Sequence, residues 1–132
     1  MSLFPKELPP IVIKNVSKER VLAYGKAAND FNPLHFDEQT AKRFGYERCL
    51  AHGMLVCGMS TKLFSPWLDS RHFVKRFSVT FLRPLFVSDS VTISGKLQKN
   101  EPDEAIILIT AKNGRNEVIM EGIATIAGGE AK

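Results

Sequence analysis

The sequence predicts an α+β domain in which a curved antiparallel β-sheet wraps around one long central α-helix. Two observations carry this prediction. From Phe77 to Ala127 the chain reads as strand after strand, with period-two alternation clearest at Val91, Ile93, Gly95 and Leu97 against Thr92, Ser94, Lys96 and Gln98. From about His52 to Trp67 the run Gly53-Met54-Leu55-Val56-Cys57-Gly58-Met59 is apolar on nearly every side of a helix, as expected of a helix buried all round. The strands need something apolar to cover, and this helix supplies it.

The elements follow in order. Pro10 to Lys14 predicts a short strand. Ser17 offers an N-cap with Glu19 in the first turn, and Val21, Leu22, Tyr24, Gly25 and Ala28 have helical spacing. The turn formers Asn29-Asp30-Phe31-Asn32-Pro33 stop that helix, and Pro33 biases Asn32 away from helical geometry. Asp37 caps a short helix through Phe44 that Gly45 closes. In the central helix Gly58 lowers helix propensity by about 1 kcal/mol relative to Ala, which predicts a close backbone approach there, and Pro66 helps end the helix. The stretch Ala105–Ala111 is apolar on both faces, and Asn113-Gly114 turns the chain into a last strand over residues 117–127.

Composition bounds the function. A chain of 132 residues that is 44% hydrophobic and 24% charged is expected to form a single domain over residues 1–132 with one core. The net charge of +4 is spread among carboxylates, which argues against a nucleic-acid partner. No apolar run approaches the roughly 18 residues that span a bilayer, and the first ten residues lack a secretory pattern, so the expected setting is cytoplasmic with no membrane partner. Cys49 and Cys57 fit neither a disulfide framework nor a zinc pair and read as free thiols.

The densest chemically capable cluster is Asp30-Phe31-Asn32-Pro33-Leu34-His35, followed by Ala51-His52-Gly53-Met54-Leu55. The first segment resembles the hydratase signature of the MaoC-like family of (R)-specific enoyl-CoA hydratases, and the second resembles that family's His-Gly-Met start of the central hot-dog helix. The stretch from Arg83 to Val91 is similar to the family's Pro, apolar, Gly-Asp, Val hairpin. Departures fall at Asn29 and Ser88, where glycine is common, and at Cys49, where proline is common.

The resemblance implies a hot-dog fold, with Asp30 and His35 as the catalytic pair and the Gly53 backbone N–H as oxyanion donor. Thr61 stands where some members carry a serine near the site. It also implies an acyl-CoA or acyl carrier protein thioester as substrate, no metal or redox cofactor, and a homodimer or dimer of dimers. The implied reaction is reversible hydration of trans-2-enoyl-CoA to (R)-3-hydroxyacyl-CoA.

The residues support that chemistry independently. Adding water to an enoyl thioester needs a base for water, an acid for the α carbon and stabilisation of an enolate oxygen. A carboxylate and an imidazole flanking one water meet the first two needs. With Asp near about 3.9 and His near about 6.5 when unperturbed, burial would have to raise Asp30 to make it a useful base. The first turn of the helix starting near His52 offers unpaired N–H groups and the positive dipole end, and glycine lets a thioester approach the backbone. Asn32 and Pro33 read as positioning residues. Sequence leaves open which of Asp30 and His35 delivers the final proton, and which of Leu63, Phe64, Trp67, Phe73 and Phe77 line an acyl tunnel.

Blander readings compete at several positions. His52 reads as a helix-start residue satisfied by a local hydrogen bond, and His72 as exposed at a strand entrance. A metal site from His35, Asp37 and another histidine lacks paired ligand spacing. On the same scaffold a thioesterase needs only Asp30, and a non-catalytic acyl-CoA binding module needs neither Asp30 nor His35; the presence of both favours the hydratase.

Overall fold

A computed structural model describes residues 2–128. Strand β1 (Ile11–Ile13) is followed by α1 (Lys18–Ala28), a 3₁₀ turn (Pro33–His35), α2 (Glu38–Arg43) and α3 (Gly53–Ser60). Two more 3₁₀ turns (Thr61–Leu63 and Ser65–Trp67) lead into β2 (His72–Phe81), β3 (Val91–Asn100), β4 (Glu104–Asn113) and β5 (Val118–Gly128). The strands form one antiparallel sheet in the order β1-β3-β4-β5-β2. The expected α+β architecture of a sheet around a central helical segment is present.

Local chemistry explains the boundaries. The Ser17 hydroxyl accepts from the Arg20 N–H and starts α1; Asp37 accepts from the Gln39 N–H and starts α2. α1 ends at Asn29 with φ 54°, and α2 is followed by Gly45 with φ 89°. Both are the left-handed closure that lets a chain leave a helix, and asparagine is the residue after glycine that tolerates it best. Asn29 therefore makes the turn that a glycine would make immediately before Asp30.

The central segment differs from the expected long helix. α-helix covers only Gly53–Ser60, and two separate 3₁₀ turns carry the chain on to Trp67. The Ser60 hydroxyl donates to the Cys57 carbonyl at 2.6 Å and the Thr61 hydroxyl to the Gly58 carbonyl at 2.7 Å, so side chains occupy carbonyls at the helix end. Pro66 then sits at the start of the second 3₁₀ turn, where its missing N–H is harmless. The segment is also not buried on all sides in this chain. Val56, Met59, Leu63 and Phe64 enter the core, whereas Met54 is 57% exposed and Gly58 has no atom within 4 Å of the position a Cβ would take. The expected close approach at Gly58 is absent among the described residues.

The core lies between this segment and the concave face of the sheet. Leu63 and Phe64 pack in one cluster with Ile93, Ile107, Ile109, Met120 and Ile126. Each such side chain removed from water stabilises the fold by about 1.5–3 kcal/mol. On β4, Ala105, Ile107, Ile109 and Ala111 are buried while Ile106, Leu108 and Thr110 are half-buried, so the strand that reads as apolar on both faces is fully covered on one. His72 is not exposed as expected: its side chain is 10% accessible, and its Nδ1 accepts from the Asp69 N–H at 3.0 Å.

Candidate active site

The predicted cluster is assembled by three short-range devices and one long-range one. The Asp30 N–H donates to the Gly25 carbonyl at 2.8 Å, anchoring the residue on the last turn of α1. The Asn32 N–H donates to Asp30 Oδ1 at 3.3 Å, and Asn32 Oδ1 accepts from the Leu34 N–H at 3.0 Å. Asn32 thus caps the 3₁₀ turn that carries His35, with Pro33 at its first position, and the positioning role expected of both has a geometric basis. The long-range contact is a bond from His35 Nδ1 to the Leu50 carbonyl at 2.7 Å. A carbonyl only accepts, so the proton sits on Nδ1 and Nε2 keeps its lone pair for a reaction.

Asp30, His35 and His52 each place one polar atom within 4.8 Å of the others. Asp37, considered for a metal set, instead caps α2 and binds Thr40. The His35 and His52 rings stack at 3.7 Å between centroids and 26° between planes, and each ring already has a backbone partner, His35 Nδ1 the Leu50 carbonyl and His52 Nε2 the Asp30 carbonyl.

His52 is where sequence reasoning fell short. Its side chain is 2% exposed, and Nε2 lies 3.2 Å from the Asp30 carbonyl oxygen and 3.9 Å from Asp30 Oδ2. That bond spans 22 residues and is not the local one expected. Burial pushes the His52 pKa below the ordinary value, the nearby His35 acts in the same direction, and the Asp30 bond and charge oppose them. A histidine immediately before the glycine of a helix start was the available signal, but only the fold shows what the ring touches.

Gly53 opens α3 and receives no side-chain cap from His52, so its N–H at the positive end of the helix is directed outward. A Cβ on Gly53 would meet the Phe81 ring at 3.0 Å. Gly53 and His35 together line a cavity of about 400 Å³ with Tyr46, Val56, Phe81 and Met120. His35 therefore links the carboxylate of Asp30 to the cavity, and apolar walls next to one N–H and one imidazole suit an acyl thioester. None of the five side chains considered for a tunnel lines this cavity; Leu63 and Phe64 are core residues instead. Thr61 is not brought to the cluster: it lies at the opposite end of α3, roughly 12 Å along the helix from Gly53. Asp30 itself is 48% exposed, so this chain does not supply the burial expected for it.

The chain is similar to several known proteins. A mitochondrial 3-hydroxyacyl-(acyl-carrier-protein) dehydratase of Arabidopsis thaliana is 32% identical over 114 residues, spanning 83% of this chain and 68% of the relative. An (R)-specific enoyl-CoA hydratase of Aeromonas caviae is 29% identical over 119 residues, spanning 89% of this chain and 85% of the relative. The solved structure of the (R)-hydratase from A. caviae involved in PHA biosynthesis superposes with a TM-score of 0.80 at 23% identity, covering 93% of this chain and 96% of that one. The ChsH1-ChsH2 complex from Mycobacterium tuberculosis gives a TM-score of 0.80 at 16% identity, covering 92% and 94%. These likenesses show the hot-dog fold. The family described as MaoC like domain matches residues 6–120, from before β1 into β5, and the chain belongs to that family.

Proposed function

We propose that this protein is a hydratase of trans-2-enoyl thioesters, forming (R)-3-hydroxyacyl thioesters reversibly and using no metal or redox cofactor. One observation carries the reading: His35, whose Nε2 is free, lines a largely apolar cavity together with Gly53 at the N-terminus of α3, and it stands beside the Asp30 carboxylate. The relatives named hydratase and dehydratase support the reaction class, and the (R) configuration rests on the names of the A. caviae and similar relatives.

In this mechanism the thioester carbonyl oxygen accepts from the Gly53 N–H, with the α3 dipole adding positive potential. Asp30 and His35 Nε2 hold one water between them. That water gives up a proton to the pair as its oxygen bonds to the β carbon, and the π electrons move onto the carbonyl as an enolate. The enolate then collapses, taking the proton at the α carbon and closing the addition. Both proton transfers use the same two groups, so the water's atoms are accounted for without a third reactant.

The Asp30 carboxylate is half-exposed and β2 is an edge strand with Phe73 and Val74 exposed. A second copy joined along β2 fits both facts, since an unpaired ten-residue edge invites strand pairing and the partner would shield the site. The thioester carrier is coenzyme A or acyl carrier protein. No helix among the described residues is long and apolar enough to cross a membrane.

The reading is tested by mixing the protein with crotonyl-CoA and following enoyl absorbance and free thiol together. The product is then offered to (R)- and (S)-specific 3-hydroxyacyl-CoA dehydrogenases. Absorbance loss without thiol release and oxidation by the (R) enzyme alone is the expected result. Thiol release would establish the thioesterase instead, and binding with neither signal the non-catalytic module.

A further inference from the structure

We infer that His52 is a positioning residue for the proposed hydration, one buried ring that holds the Asp30 backbone and the His35 ring plane together. The inference rests on that proposed reaction and adds a member to its machinery. His52 stands at the junction of three elements: it precedes α3, stacks on His35 of the 3₁₀ turn, and reaches the end of α1 through Asp30. Tyr24 lies against its ring at 4.8 Å and Phe36 at 5.9 Å, so the imidazole is boxed on its faces and edges.

The polar atoms of the ring decide between a packing role and a positioning role. The Asp30 carbonyl can only accept, so Nε2 carries the proton and donates it there. Nδ1 is then a buried lone pair, and it has no hydrogen-bond partner among the described residues. Leaving a buried acceptor unpaired lowers stability, and a phenylalanine would fill the same box without that loss. A site that retains the imidazole is using what only the imidazole offers, the N–H directed at Asp30. The same lone pair explains why the ring stays neutral: a second proton on Nδ1 would find no acceptor. A neutral ring can lie face to face with His35 while His35 takes up and returns a proton, whereas a cation there would oppose it.

The test compares wild type, His52→Phe and His52→Gln, with Asp30→Asn as the reference for loss of the reaction itself. Phenylalanine keeps the stacked ring and drops the N–H; glutamine keeps a donor of similar reach and drops the ring. The expected result is that His52→Phe melts no lower than wild type, loses at least about tenfold in kcat on crotonyl-CoA with KM within about twofold, and that His52→Gln recovers part of the loss. A second readout is independent of turnover. Long-range ¹H–¹⁵N spectra of the His35 side chain should show a single tautomer protonated on Nδ1 in wild type and in His52→Phe, which keeps the stack, and a mixed or shifted signal in His52→Gln, which loses it. A His52→Phe protein that keeps wild-type kcat, or a His52→Gln protein whose His35 signals stay unmoved, overturns the inference. If wild type fails to hydrate the thioester, the proposed function falls while the His35 spectra still decide the pinning. If Asp30→Asn abolishes hydration and His52→Phe does not affect it, only this inference falls.

Discussion

Gly25 and Asp30 are in direct backbone contact: the Asp30 N–H donates to the Gly25 carbonyl at 2.8 Å, and the Asp30 carbonyl oxygen lies 2.9 Å from where a Gly25 Cβ would be. The same Cβ would meet the Phe36 ring at 2.8 Å. Phe36 can swing away, but the carbonyl belongs to the turn that presents the carboxylate.

Gly25→Ala is therefore expected to destabilise the fold by about 1–3 kcal/mol through overpacking and to misalign Asp30 as well. Thermal melting together with kcat on crotonyl-CoA checks this. A variant that melts like wild type and turns over normally would show that the turn has room to yield.

Gly53→Pro isolates the proposed oxyanion donor. Gly53 is the first residue of α3, where proline is tolerated because its missing N–H has no helical partner, and His52 already has the extended φ −65°, ψ 132° that precedes proline readily. The change removes the N–H but leaves the helix, and a fall of about 10²–10³-fold in kcat is expected. Gly53→Ala is the control for crowding against Phe81, which is 47% exposed and free to move. The alanine variant should retain far more activity than the proline one.

Ser88→Gly should stabilise the protein. Ser88 has φ 76°, a left-handed conformation that disfavours a Cβ by about 1–2 kcal/mol, partly offset by the greater unfolded-state freedom of glycine. A gain of up to about 1 kcal/mol in denaturant unfolding, with activity unchanged, is the expected outcome. The residue lies at the hairpin position where the resembling family commonly has glycine, and the backbone has kept the glycine-like geometry.

Acid should weaken the fold through His52. Burial holds its pKa below the ordinary 6.5, with His35 adding to the effect and Asp30 opposing it; Tyr24 packs on the same ring. The unfolded chain takes up this proton first as pH falls through about 6.5, so the contribution is complete above that pH and is lost progressively toward the lower folded value. Melting temperature should decline over that window in wild type and decline less in His52→Phe. Equal slopes would assign the acid sensitivity to other groups.

Much of the fold was legible because its signals are short-range. Ser17, Asp37 and Gly45 each act within a few residues and do what their positions suggest; a turn also follows Asn113, but its left-handed residue is Asn116 (φ 64°) instead of the Asn113-Gly114 pair. The proximity of Asp30, Asn32, Pro33 and His35 was legible for the same reason, since they lie on one turn between α1 and α2. The contacts of His52 and the closeness of Gly25 to Phe36 depend on how separate elements meet, and no local pattern encodes that. The length of α3 was overestimated because apolar composition continues through the 3₁₀ turns, where the Ser60 and Thr61 hydroxyls and Pro66 change the backbone pattern without changing hydropathy.

The central claim is that Asp30 and His35 act on one water, and it is tested most directly by the rate of crotonyl-CoA hydration in Asp30→Asn, His35→Ala and the double variant. Each single change should lower kcat by about 10³-fold or more, and the double variant should be little worse than either, because two groups serving one water fail as a unit. Loss factors that multiply in the double variant, or an Asp30→Asn enzyme that keeps more than a few per cent of wild-type activity, would contradict the account.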